Sequence, residues 1–145
     1  MYFVDREKIE ETLVYFEQLL SLFIQQHSWE TLMDKLALER LCQMMVESVL
    51  DVGNAMIDGF IMRDPGSYED IVDILMDEKV VTTDVGAGLK QLVLNRKMLV
   101  QNYTEIDHLK LYNEFASQIQ LLGTFPNSVR TYLVNELGPV SAFKK

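Results

Sequence analysis

Very little in this sequence breaks a helix. Of its 145 residues seven are glycine and three are proline, and no alternating apolar/polar run reaches strand length, so helix is expected almost throughout. A lone cysteine, Cys42, excludes an intrachain disulfide. With two histidines, His27 and His108, it is also too small a set for a zinc site unless carboxylates complete it. No apolar run approaches the roughly 18 residues of a membrane span; even the greasiest stretch, 36–57, is interrupted by Glu39, Arg40, Glu47 and Asp51. The opening Met-Tyr-Phe-Val-Asp-Arg-Glu-Lys carries charge where a secretory signal needs its apolar region. There is no glycine-rich phosphate loop, no Gly-x-Ser-x-Gly and no His-Glu-x-x-His. These absences lead to the expectation of a reduced, cytoplasmic, soluble protein with no metal, no cofactor and no membrane contact.

What is present is the composition of a folded domain. Apolar residues make up 48% and charged residues 24%, and the length suits one domain spanning 1–145 with a single core. The formal net charge of −9 disfavours a globally basic nucleic-acid binder, and DNA is not an expected partner. The charge is unevenly spread: residues 1–83 hold 17 acids and 6 bases, a net of −11, whereas 84–145 hold 5 acids and 7 bases, a net of +2. Such asymmetry fits either well-solvated acidic helices or a less acidic surface meant for an anion.

Periodicity predicts an all-α, antiparallel bundle of about five helices. The first helix begins after Asp5 as N-cap, with Val4 and Ile9 as a hydrophobic staple, and its inward stripe is Ile9, Leu13, Phe16, Leu19/Leu20 and Phe23. A second helix, capped by Ser28, runs unbroken to Gly59, about 30 residues or 45 Å. It carries two apolar stripes: Leu38, Cys42, Met45, Val49, Val52, Met56, and next to it Val46, Leu50, Gly53, Ile57. That arc is wider than one neighbour needs, so a homodimer through this helix is expected, with Cys42 and the methionines as packing residues. Asp64-Pro65-Gly66-Ser67 is a turn leading into a short third helix, with Ser67 and Asp70 spaced as a capping box. Thr82-Thr83-Asp84 caps a fourth helix with Leu89, Leu92/Val93 and Leu99/Val100 inward, and Asp107 caps a fifth with Tyr112, Phe115, Ile119 and Leu122 inward. Pro126 should kink or split that last helix, and 138–145 read as a non-helical tail.

One string stands out chemically: Asn95-Arg96-Lys97-Met98-Leu99-Val100-Gln101-Asn102-Tyr103-Thr104-Glu105-Ile106-Asp107. In a continuous helix Arg96, Val100 and Tyr103 share one face, because seven residues advance it by about 700°. A guanidinium that can grip a phosphate at two points then lies along the same stripe as a phenol. The same residues also suit an ion pair with an acidic helix and a tyrosine at the core edge.

The string resembles the Arg-x4-His-x-Tyr motif of the HepT family of RNase toxins, part of the HEPN superfamily of small helical dimers. Leu38-Glu39-Arg40 to Asn54 resembles that family's second helix. The resemblance implies a homodimeric, metal-independent endoribonuclease acting on RNA. It also implies an MntA-type nucleotidyltransferase antitoxin that transfers AMP to the motif tyrosine. On this reading Arg96 is the motif arginine, Tyr103 the AMP acceptor, and Gln101 stands where the family has histidine. Gln101 can hydrogen-bond but cannot exchange a proton near neutral pH, so the activity implied is weak, and a catalytically silent dimer binding RNA, a nucleotide or a protein partner is the alternative. Neither His27 nor His108 is an obvious replacement. Lys90 and Lys97, near Arg96, would make a small basic cleft in an acidic protein.

Overall fold

The computed structural model describes residues 4–137; the expected tail at 138–145 lies outside them. The described chain forms seven α-helices and one 3-10 turn: α1 (Arg6–Gln25), α2 (Leu32–Gly59), α3 (Tyr68–Asp77), α4 (Thr83–Val93), α5 (Arg96–Val100), the 3-10 turn Tyr103–Glu105, α6 (His108–Ser117) and α7 (Ile119–Leu137). Helices α1, α2, α3, α4 and α7 close a ring, each packing on the next and α7 returning to α1, while α5 and α6 lie against α2. The all-α bundle expected from periodicity is what is found.

Local chemistry accounts for most helix starts. Asp5 accepts from the Lys8 amide at 3.0 Å, and Val4 and Ile9 are both buried beneath that cap. The six predicted inward residues of α1 are its six buried residues. Helix α2 begins one turn later than expected. Its N-cap is Thr31 rather than Ser28, because Asp34 at the third helical position completes a reciprocal capping box with Thr31. Residues 26–30 are thereby released as a linker that carries Trp29. At α3 the Ser67 hydroxyl takes the Asp70 amide, but the Asp70 carboxylate does not return to the N-cap backbone. It binds Arg63 through both oxygens and accepts from the Gly66 amide.

Both apolar stripes of α2 are covered within the chain. Leu38, Cys42, Met45, Val46, Val49, Leu50, Val52, Met56 and Ile57 are all buried against neighbouring helices. The wide arc therefore marks a central helix, and it does not by itself call for a second subunit. Gly53 allows a close approach: a Cβ there would lie 2.5 Å from Ile71 Cγ2 of α3. Burial pushes the Cys42 thiol well above its ordinary value, as suits a packing residue.

Two predicted helices are divided. The expected fourth helix stops at Val93, where the Asn95 amide turns back to the Leu92 carbonyl (3.0 Å) and the Asn95 side chain reaches the same oxygen (3.3 Å). The final helix breaks at Gln118 rather than at Pro126: Ser117 Oγ donates to the Glu114 carbonyl and the Gln118 amide donates to the Phe115 carbonyl. Pro126 stays inside α7, buried beside Phe125, whose ring meets Phe16 edge-on at 5.8 Å. Arg130 then ties α7 to α1 through Glu10 and Glu17.

Candidate functional site

The break at Asn95 makes Arg96 the first residue of a five-residue helix lying on α2. Arg96 Nε donates to Glu47 Oε1 of α2 at 2.5 Å, and its guanidinium lies over the Tyr68 ring of α3, 4.3 Å from the centroid. Three helices thus fix this one side chain, at about one-quarter exposure. Asp51, one turn beyond Glu47, has its carboxyl raised above the usual range by burial and then by the Glu47 charge, with Lys8 and Arg96 pulling the other way. Burial and the Glu47 charge together outweigh the pull of the two cations on Asp51. The Glu47 contact occupies the Nε edge; among the described residues no hydrogen bond engages the two terminal nitrogens.

Helix α5 ends at Val100, with Gln101 as its C-cap, and Tyr103 opens the 3-10 turn that follows. Arg96, Val100 and Tyr103 therefore do not share one helical face, as a continuous helix would require. The Gln101 amide still closes a helical bond to the Lys97 carbonyl (2.8 Å), so within one chain Arg96 and Gln101 keep the divergence of about 140° that five helical residues impose. Gln101 is exposed, and Tyr103 is 61% exposed. The basic cleft is smaller than the sequence suggested. Lys90 is on α4, committed to Asp73 of α3 at 2.9 Å, whereas Lys97 is exposed on α5.

Sequence reasoning missed both carboxylate partners on α2. Glu47 holds Arg96, and Glu39, eight residues earlier, meets His108 Nε2 at 2.6 Å. His108 is the first residue of α6, and together with His27 it lines an open cavity of about 760 Å³ between the 26–31 linker and α6. The two histidines, 81 positions apart, are thus brought to one place. Glu39 and Glu47 offered no signal beyond being acidic positions on an otherwise apolar helix. Among the described residues, no group of three or more His, Cys, Asp or Glu is placed to hold a metal ion, and no helix is long and apolar enough to cross a membrane.

The family model for ribonuclease HepT-like proteins matches residues 7–129, from α1 through most of α7 and across the whole Arg96–Tyr103 segment. The chain belongs to the HepT-like ribonuclease family. It is 55% identical over 144 residues to YutE of Bacillus subtilis (strain 168), a protein named as a candidate RNase, covering 99% of this chain and 100% of YutE. The solved structure of YutE, described there as a cytosolic protein of unknown function, has a TM-score of 0.95 at 55% identity and covers 99% of this chain and 100% of that one. More distant matches share the HepT-like fold alone. A toxin–antitoxin structure with AMP-PNP has a TM-score of 0.73 at 14% identity, covering 83% of this chain and 96% of that one. A tri-AMPylated HEPN toxin from Shewanella oneidensis, in complex with an MNT antitoxin, has a TM-score of 0.72 at 15% identity, covering 86% of this chain and 95% of that one.

Proposed function

We propose that this HepT-like chain is an RNase toxin: a metal-independent endoribonuclease, dimeric in action, silenced by a nucleotidyltransferase partner of the MntA type. The observation that carries the reading is the placement of Arg96 and Tyr103. The arginine is held by Glu47 and Tyr68 with its terminal nitrogens outside that hydrogen bond, and the tyrosine, at the AMP-acceptor position of the motif, is well exposed.

In cleavage without a metal, the ribose 2′-oxygen attacks phosphorus, its proton passes to a base, and the 5′-oxygen leaves with a proton from an acid. Arg96 steadies the charge that builds on the phosphoryl oxygens, as a bidentate donor suits that geometry. Gln101 can orient the 2′-hydroxyl or a water but takes no proton, so the chain forgoes the roughly 10²- to 10⁴-fold that general acid–base catalysis supplies. Silencing is transfer of AMP from ATP: the Tyr103 oxygen attacks the α-phosphorus, the phenolic proton is lost and pyrophosphate leaves. A bulky anion there would block the approach of RNA to Arg96. The proposed dimer cannot use the covered stripes of α2; bare Leu32, Met33 and Leu36 at the start of that helix are better suited.

RNA incubated with the purified chain tests the reading. Slow cleavage that Arg96→Ala abolishes and Gln101→His accelerates is expected. Intact RNA with both the parent chain and the Gln101→His variant rejects it. Intact-mass analysis after co-expression with an MntA-type enzyme should find AMP on Tyr103, and an unmodified Tyr103 removes the silencing half. The second reading, a silent dimer that binds RNA, a nucleotide or a protein partner, is favoured by Gln101 and by the Glu47 charge that already neutralises Arg96; salt-sensitive binding without product would select it.

A further inference from the structure

The cavity between the 26–31 linker and α6 has a chemistry different from that of the Arg96 site. Trp29 and Tyr112 supply aromatic walls, both packed on Phe23, with Tyr112 stacked at 5.4 Å and Trp29 tilted at 5.9 Å between ring centroids. His27, His108 and Lys35 line the cavity as well. Trp29 Nε1 is buried and, among the described residues, has no hydrogen-bond partner. An unpaired donor of that kind costs stability in the isolated chain. The His108 ring is held by Glu39 at Nε2, which orients its other nitrogen without help from a ligand.

Charge decides what kind of group fits. Lys35 is offset by Glu30 and Asp107 on the same walls, and Glu39 stands behind His108. A phosphate would find no excess of positive charge, whereas an uncharged planar group would find aromatic faces and several polar edges. At about 760 Å³ the space is in the range of small-ligand sites and holds a nucleobase with its ribose. Its position relative to Arg96 is set by α2. Glu39 and Glu47 are eight residues apart, about 12 Å along the helix axis and about 80° around it. The two braced side chains are thus anchored about two turns of α2 apart, a spacing that a short single strand can reach.

We propose that this cavity is a base-binding subsite for single-stranded RNA. It takes one unstacked base against Trp29 and Tyr112, with His108 at its edge, while Arg96 holds a phosphate a few nucleotides away. The proposal rests on the RNA reading of the Arg96 site and adds where the base is held.

Trp29 is the chain's single tryptophan, so its fluorescence reports on this cavity alone. The probes are a 2′-O-methyl RNA hexamer, which lacks the attacking hydroxyl, and an abasic oligomer with the same number of phosphates, each followed by Trp29 emission and by anisotropy of an end label. The hexamer should quench Trp29 in the concentration range in which anisotropy rises. The abasic strand should leave Trp29 unchanged and bind about tenfold more weakly, the size of one lost stacking contact. His108→Ala, with helicity checked by circular dichroism, should weaken hexamer binding in the same sense. Binding by anisotropy with no Trp29 response, or equal quenching by the abasic strand, overturns the subsite and leaves the Arg96 reading standing. Failure of the hexamer to bind at all removes both. Quenching by the hexamer without cleavage of unmodified RNA sustains the subsite and removes the nuclease.

Discussion

The two ends of α2 behave as different materials although large apolar side chains occur in both: residues 32–40 carry four charged residues in nine, and 42–59 carry three in eighteen. From Cys42 to Gly59 the helix is a scaffold: Met45, Val49, Leu50, Val52 and Met56 are buried, and Gly53 brings α3 close. From Leu32 to Arg40 it is mostly surface, with Leu32 72% and Met33 76% exposed and Leu38 alone buried. Its carboxylates follow the same gradient of use. Glu47 anchors Arg96, and Glu39 anchors His108, so both candidate contacts are braced from one rigid element. The lesson is that an apolar side chain on a helix does not by itself mark core, as Leu32, Met33 and Leu36 show; the partners packed on each turn do.

Several measurements would sharpen or break that contrast. The largest effect belongs to the buried end: Met45→Ala should cost about 2–5 kcal/mol in urea denaturation, and a loss under ~1 kcal/mol would mean the core there is loosely packed. Next comes Gln101→His, which restores a proton-transfer group at the motif position five residues after the braced Arg96. RNA cleavage should rise by roughly 10²-fold or more, and an unchanged rate would show that Gln101 does not face the scissile phosphate.

A smaller gain is expected where the buried end of α2 stops. Ile61 has φ of 56°, the left-handed conformation that the hydrogen bond from the Met62 amide to Ile57 requires. Glycine adopts it without a Cβ penalty, so Ile61→Gly should stabilise by about 1 kcal/mol, read as a higher urea midpoint. Just beyond, Asp70 is held down to about 2, first by Arg63 and then by the Gly66 amide. A depressed carboxyl stabilises above its unfolded value near 3.8 and loses that contribution as pH falls through about 2. The Tm deficit of Asp70→Asn should therefore be present at pH 6 and vanish between about pH 4 and 2; a constant deficit would show that the charge is not its cause. Smallest of all, Met33→Ala at the exposed end should change stability by less than ~0.5 kcal/mol. A light-scattering mass that fell on this substitution would place the dimer contact there.

The α1 stripe and the caps at Asp5, Thr82 and Asp107 were legible because each depends on residues three or four apart. The cap of α2 was misplaced because Ser28 and Thr31 are both competent, and Asp34 favours the second. The break at Asn95 was hidden for a related reason: an asparagine within a helical pattern is tolerated until its side chain competes for a carbonyl. Within the candidate site, Arg96, Gln101 and Tyr103 could be named from their spacing and from the resemblance to the HepT pattern. Glu47, Tyr68 and Glu39 could not, since their partners lie 28 to 69 positions away.

By itself the sequence determined that the chain is helical, where its core stripes run and which string carries the HepT-like motif, because periodicity and local capping act over a few residues. Only the tertiary structure decided that the wide arc of α2 is covered within one chain, that Arg96 is shared between Glu47 and Tyr68, and that His27, Trp29 and His108 meet in one cavity. Those outcomes depend on which helices close the ring, and that is settled by packing between segments far apart in the chain.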